Sequence, residues 1–248
     1  MKRKVWIPLL CVALVITIVA GVNVFLNSPY HQSDKLIAAI QDHDKDAVVE
    51  LLESGVDPNV NNRPDRPIFN SLLEQSPKRP LSIACQEGDL EMVKLLISYG
   101  AVVNYPDDGT RPPLVCAVLG YDKDDVAMVK LLLENGADVS QIYASSLPIH
   151  YVAQMSPNAR NENGEFVYNE DVAQDIVEIA KLVNGDSDIN GYSKKFTPLM
   201  YTASRGNKAL VEYFLSIGAD KTAKLSDGRT AYDLAMLHGH TEVAELLK

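Results

Sequence analysis

Three groups of side chains in this 248-residue chain have types and spacings that invite chemistry. Asp122-Lys123-Asp124-Asp125 crowds carboxylates into one short run, the donor type that holds calcium. The run lacks the glycine and the distal glutamate with which a calcium loop wraps its ion. It reads instead as an acidic start to the helix that follows, favoured by the helix dipole. His238 and His240 straddle Gly239, but two imidazoles with no acid or thiol nearby do not complete a metal's ligand set. Cys85 and Cys116 are the two cysteines beyond residue 26, and their offsets from Pro80 and Pro113 differ, which argues against a bridge and for two small core residues. No Gly-rich phosphate loop or Gly-x-Ser-x-Gly elbow occurs. The reading is of a non-catalytic chain with no cofactor and no metal.

The elements that carry these residues repeat. Gly55-Val-Asp-Pro-Asn, Gly100-Ala-Val-Val-Asn, Gly136-Ala-Asp-Val-Ser and Gly218-Ala-Asp-Lys-Thr are one phrase, with a degenerate copy from Gly185. Pro80-Leu81, Pro113-Leu114, Pro148-Ile149, Pro198-Leu199 and Ala231-Tyr232 follow the copies in turn, at a period of roughly 33 residues. In the clearest unit, Pro80 opens a short helix carrying Leu81, Ile83, Ala84 and Cys85. Gly88-Asp89 breaks it. A second helix places Met92, Val93, Leu96 and Ile97 on one face and ends at Gly100. One such pair cannot bury its apolar face alone, so neighbouring units must stack.

Thr197-Pro198-Leu199, Gly206, Gly218-Ala219-Asp220 and Asp227-Gly228-Arg229-Thr230 resemble the ankyrin repeat, as do Gly100-Ala101 and Gly136-Ala137-Asp138. The resemblance implies an all-α solenoid of helix pairs with projecting hairpin loops over residues 30–248. It comprises five complete or modified repeats and a truncated sixth. It also implies that His150, alone in keeping the histidine of the family's Thr-Pro-Leu-His motif, ties its helix to the neighbouring loop. Two insertions interrupt the period. Residues 61–79 contain Ile68, Phe69, Leu72 and Leu73, a short amphipathic helical turn; residues 156–172, rich in Asn and Glu, read as a protruding loop.

Residues 1–29 are a separate element. Lys2, Arg3 and Lys4 precede an uncharged run from Val5 to Leu26, 22 residues against the ~20 that cross a bilayer as a helix. The flanking charge places the N-terminus in the cytoplasm and the repeats on the extracytoplasmic side, the periplasm in a bacterium. A cleaved signal, ending near Val19-Ala20-Gly21, is the alternative.

Removing Lys2, Arg3 and Lys4 leaves 20 basic against 33 acidic side chains, a net −13 beyond residue 26. That balance excludes a nucleic-acid surface and favours a basic protein partner. Tyr105, Tyr143 and Tyr192 fall in the expected projecting loops, with Leu225 at the fourth comparable place. Asp107 and Asp108 lie beside the first. Each ring either meets a partner or packs across its own hairpin. The function expected is a membrane-tethered binding scaffold or accessory module. The alternative is an immunity protein that occludes a toxic enzyme in the periplasm.

Overall fold

The computed structural model describes residues 29–61, 79–105, 109–120, 125–160, 162–163, 165–185 and 187–248. The expected membrane segment, the helical turn at Ile68–Leu73, Asp107, Asp108 and the acidic run from Asp122 to Asp124 lie outside these residues. Among the described residues no helix is long and apolar enough to cross a membrane.

Twelve helices among the described residues form six consecutive pairs. They are α1 (Pro29–Gln41) with α2 (Lys45–Glu53), α3 (Pro80–Gln86) with α4 (Leu90–Ser98), and α5 (Pro113–Leu119) with α6 (Asp125–Glu134). The remaining pairs are α7 (Pro148–Val152) with α8 (Glu170–Asn184), α9 (Pro198–Arg205) with α10 (Lys208–Ser216), and α11 (Ala231–Leu237) with α12 (Thr241–Leu247). Pro80, Pro113, Pro148 and Pro198 each occupy a first helical position, where the missing N–H costs nothing. Side-chain caps begin four of the six second helices: Asp44 accepts from Ala47 N, Asp89 from Met92 N, Asn169 from Val172 N and Asn207 from Leu210 N. Thr230 and Asp233 cap α11 reciprocally. At the other end of α10, Gly218 N bonds Leu215 O and Ala219 N bonds Phe214 O, and the left-handed Gly218 makes that reversal without a Cβ penalty.

First helices stack on first helices, α1 on α3, α3 on α5, α5 on α7, α7 on α9 and α9 on α11. Second helices form a parallel row through α4, α6, α8, α10 and α12. One apolar core runs the length of the stack. Ala84, Ala117 and Ala235, four places into their helices, are buried where the row is tightest, and Phe214, Leu132, Leu96 and Ile40 are sealed between the rows. Both cysteines sit in this core as free thiols. Burial pushes Cys85 well above the usual thiol range and Cys116 up to about 11, so both stay protonated and unreactive at neutral pH.

A ladder of asparagines ties the loops together, and it was not foreseen from the repeat pattern. Asn59 donates to Gly100 O (3.0 Å) and accepts from Val102 N (2.8 Å). Asn104 does the same to Gly136 O (2.8 Å) and Asp138 N (2.9 Å). Asn190 clamps Gly218 O (3.4 Å) and Asp220 N (2.7 Å). The equivalent place in the third unit is Ser140, whose hydroxyl turns back to Asp138 Oδ1 (2.6 Å). The next loop is also where the glycine phrase degenerates, from Gly185 to Asn190, so the rung and its receptor are lost together. His150 bridges that region instead. Its Nδ1 accepts from Leu147 N (3.3 Å) and its Nε2 reaches Gly191 O (3.1 Å), the tie that the family resemblance implied.

The all-α expectation needs one correction. The insertion expected as a loop over 156–172 contains an antiparallel hairpin, β1 (Asn158–Arg160) with β2 (Phe166–Tyr168), in the register Asn158↔Tyr168, Ala159↔Val167 and Arg160↔Phe166. Its last residues, from Glu170, already belong to α8. Phe166-Val167-Tyr168 is a run of strand formers on the far side of a polar turn, a pattern that the Asn- and Glu-rich composition of the segment masked.

Replacing Asn104 with alanine removes two hydrogen bonds between repeats and should cost about 1–2 kcal/mol in urea unfolding. Ser140→Ala, which breaks only a bond within its own loop, should stay within ~0.5 kcal/mol of wild type.

Candidate protein interface

Loops between successive pairs project from one edge of the stack, while the connections inside the pairs lie on the opposite edge. The loops hold Tyr105, Tyr143, Tyr192 and Leu225. The structure shows that these are not equivalent positions. Asp138 accepts from Ser140 N (2.8 Å) and Asp188 from Asn190 N (3.0 Å), which sets the two loops in register. Isolated bridges Tyr143↔Ser146 and Ser193↔Phe196 confirm it. In that register Tyr105 matches Gln141 and Gly191, Tyr143 matches Ser193, and Tyr192 matches Ile142. The loop is extended, so neighbouring positions face opposite ways.

The consequence for Tyr105 is burial: it is 5 % exposed, and the expectation of an exposed contact residue there is corrected. The Arg79 guanidinium lies 4.7 Å from its ring centroid, and its carbonyl accepts from Gln141 Nε2 (2.5 Å). Burial pushes its phenol far above the usual range, outweighing the lowering effect of the Ser82 hydroxyl, with small further upward pushes from Cys85 and Cys116. Tyr143 is half-buried. It rests 6.4 Å from the ring of Tyr151, whose hydroxyl donates to the Tyr143 carbonyl (2.7 Å), and Arg111 stands over its other side at 5.9 Å. That ring packs between its own unit and the loop of the preceding one. Leu225 is half-buried against the core.

Tyr192 is different. It is 53 % exposed, and its hydroxyl donates to Lys224 O (3.1 Å), so the ring lies across to the next loop and leaves its outer face free. Ile142, at the same position one repeat earlier, is 65 % exposed. Sequence reading missed Ile142 because it followed residue type. The usable signal was distance from the loop aspartate, four residues in both Asp138→Ile142 and Asp188→Tyr192. Lys194, Lys195 and Lys224 are exposed around the pair. The turns beside it hold Ala144, Ser145 and Lys194 at positive φ (46°, 64° and 59°), a conformation costing about 1 kcal/mol or more per non-glycine residue.

On the turn edge, His240 packs against Gly206. A Cβ at Gly206 would overlap the imidazole, so that histidine is a packing residue. Among the described residues no three His, Cys, Asp or Glu side chains gather as metal ligands.

Tyr105→Ala should lower unfolding free energy by about 3 kcal/mol, the cost of emptying a buried aromatic site. Tyr192→Ala should move it by less than ~1 kcal/mol. Equilibrium unfolding of the two variants side by side checks the register argument directly.

Comparison with known proteins agrees with this architecture. The family model described as Ankyrin repeats (3 copies) matches residues 35–142 and 167–248. The chain is 25 % identical over 188 residues to the transient receptor potential cation channel subfamily A member 1 homolog of Caenorhabditis elegans, covering 70 % of this chain and 16 % of that protein. It is 25 % identical over 249 residues to Protein VAPYRIN-LIKE of Medicago truncatula, covering 82 % of this chain and 48 % of the relative. A putative ankyrin repeat protein of Rickettsia felis is 40 % identical over 76 residues, 30 % of this chain and 32 % of that protein. The chain thus spans less than half the length of each of these relatives. The matched residues take in most of the stack, and the chain belongs to the ankyrin-repeat family.

Proposed function

We infer that this chain is a protein-binding scaffold module, held at a membrane by residues 5–26 and presenting its repeats on the extracytoplasmic side. Ankyrin repeats are protein–protein interaction modules, and most of this chain is built from them. The observation that carries the reading is the outward pair Ile142 and Tyr192. They stand at matching positions in adjacent loops, backed by a continuous core, and both are exposed, Tyr192 with its hydroxyl anchored on the next loop. An aliphatic and an aromatic side chain on a rigid edge supply apolar area at low ordering cost, the usual make-up of an interface centre. The net negative charge favours a basic partner by long-range attraction.

Tethering rests on the uncharged Val5–Leu26 run and its Lys2-Arg3-Lys4 flank. The full-length chain should remain in the membrane pellet after alkaline extraction, and protease added outside bacterial spheroplasts should digest the repeats. A chain that washes off, or whose mature N-terminus begins after residue 20, would show that no anchor is retained.

The partner interface is tested with the full-length chain as bait. Ile142→Ala combined with Tyr192→Ala should reduce recovery of a specifically captured partner by about tenfold, with an unchanged unfolding midpoint. Undiminished recovery would move the interface away from this edge.

A further inference from the structure

Among the described residues the hairpin β1–β2 has no counterpart in the other five helix pairs, and the family match stops at residue 142 and resumes at 167. It is inserted between α7 and α8, so it stands on the turn edge, opposite Ile142 and Tyr192. Its second strand leans over the starts of α10 and α12. Tyr168, 42 % exposed, comes beside the Ala209 backbone. A groove of about 640 Å³ opens between them.

The groove has a definite chemistry. Glu170 from α8, Glu212 from α10 and Glu242 from α12 line it together with Tyr168, brought from three successive repeats. Burial and then the charge of Glu170 raise the Tyr168 phenol, with smaller upward pushes from Glu212 and Glu242 set against a lowering hydrogen bond from the Ala209 backbone. Lys208 is the one lysine of the lining, and it is already paired with Glu242 at 3.5 Å. The site therefore combines an open aromatic face with an excess of carboxylate.

We propose that this groove receives a basic peptide segment of the protein partner, with an arginine lying on the Tyr168 ring between Glu170, Glu212 and Glu242. An arginine fits each part of the wall. Its plane stacks on tyrosine, its donors reach carboxylates from several directions, and its stem covers the apolar floor. The charge of the groove selects a cation and its concavity selects an extended segment. This inference rests on the protein-binding reading above, and it places the basic part of the partner on the edge away from the Tyr192 loops.

The test measures fluorescence anisotropy of a labelled octa-arginine peptide against the full-length chain at ~150 mM salt, where diffuse attraction is screened. Glu212→Gln with Glu242→Gln should weaken binding about tenfold, and so should Tyr168→Ala, while Tyr168→Phe, which keeps the ring, should bind within about threefold of wild type. Glu50→Gln with Glu53→Gln makes the same charge change on the exposed first repeat and should have no effect. Equal losses from the two glutamate pairs, indifference to Tyr168→Ala, or no binding of the peptide would each overturn the groove. Sensitivity to Tyr192→Ala alone would remove the groove and leave the protein-binding reading standing.

Discussion

Every helix among the described residues is too short to stand alone. Helices of 5 to 15 residues fall at or below the length at which an isolated helix is marginal in water, so stability has to come from packing. No single pair encloses its apolar face either. Contact between neighbouring repeats is therefore the constraint on which everything else depends, and it explains why the core is one ribbon through six pairs. It also explains the buried alanines in the first helices, since a larger side chain there would push whole repeats apart. The two cysteines share this role: they fill space, and their burial keeps them out of chemistry.

A second, polar linkage runs beside the apolar one. Asn59, Asn104 and Asn190 reach from one loop into the next and satisfy both a carbonyl and an N–H that the reversal after each helix leaves open. Where Ser140 replaces the asparagine, the following repeat has lost its regular glycine phrase and carries the hairpin insertion. His150 and the paired hydroxyls of Ser146 and Ser193 take over the connection there. The irregular fourth repeat is thus held by a different set of bonds, and this is the place where the stack departs most from its own pattern. Both candidate surfaces border it: Ile142 and Tyr192 on the loop edge, Tyr168 on the turn edge.

The two edges differ in charge as well as shape. Lys194, Lys195 and Lys224 share the loop edge with the exposed Asp138 and Asp188, charges of both signs, whereas glutamates from three repeats meet under the hairpin on the turn edge. A net charge hides this separation. The overall −10 describes how the molecule behaves at long range, whereas the contact that a partner makes depends on which edge it meets.

The sequence by itself determined the repeat, the two helices in each unit, their caps and their buried faces, because proline, glycine and short polar side chains act within a few residues of where they stand. Pro80 opening α3 and Gly100 closing α4 were legible for that reason. Which loop side chains face outward was decided only in the folded stack. An extended loop alternates its faces, so one residue of offset buries Tyr105 and exposes Tyr192 although both are tyrosines in the same kind of loop. The groove is more remote still from the linear chain. Tyr168, Glu212 and Glu242 belong to different repeats, and they meet because rigid neighbours are stacked at a fixed spacing and a hairpin leans across them.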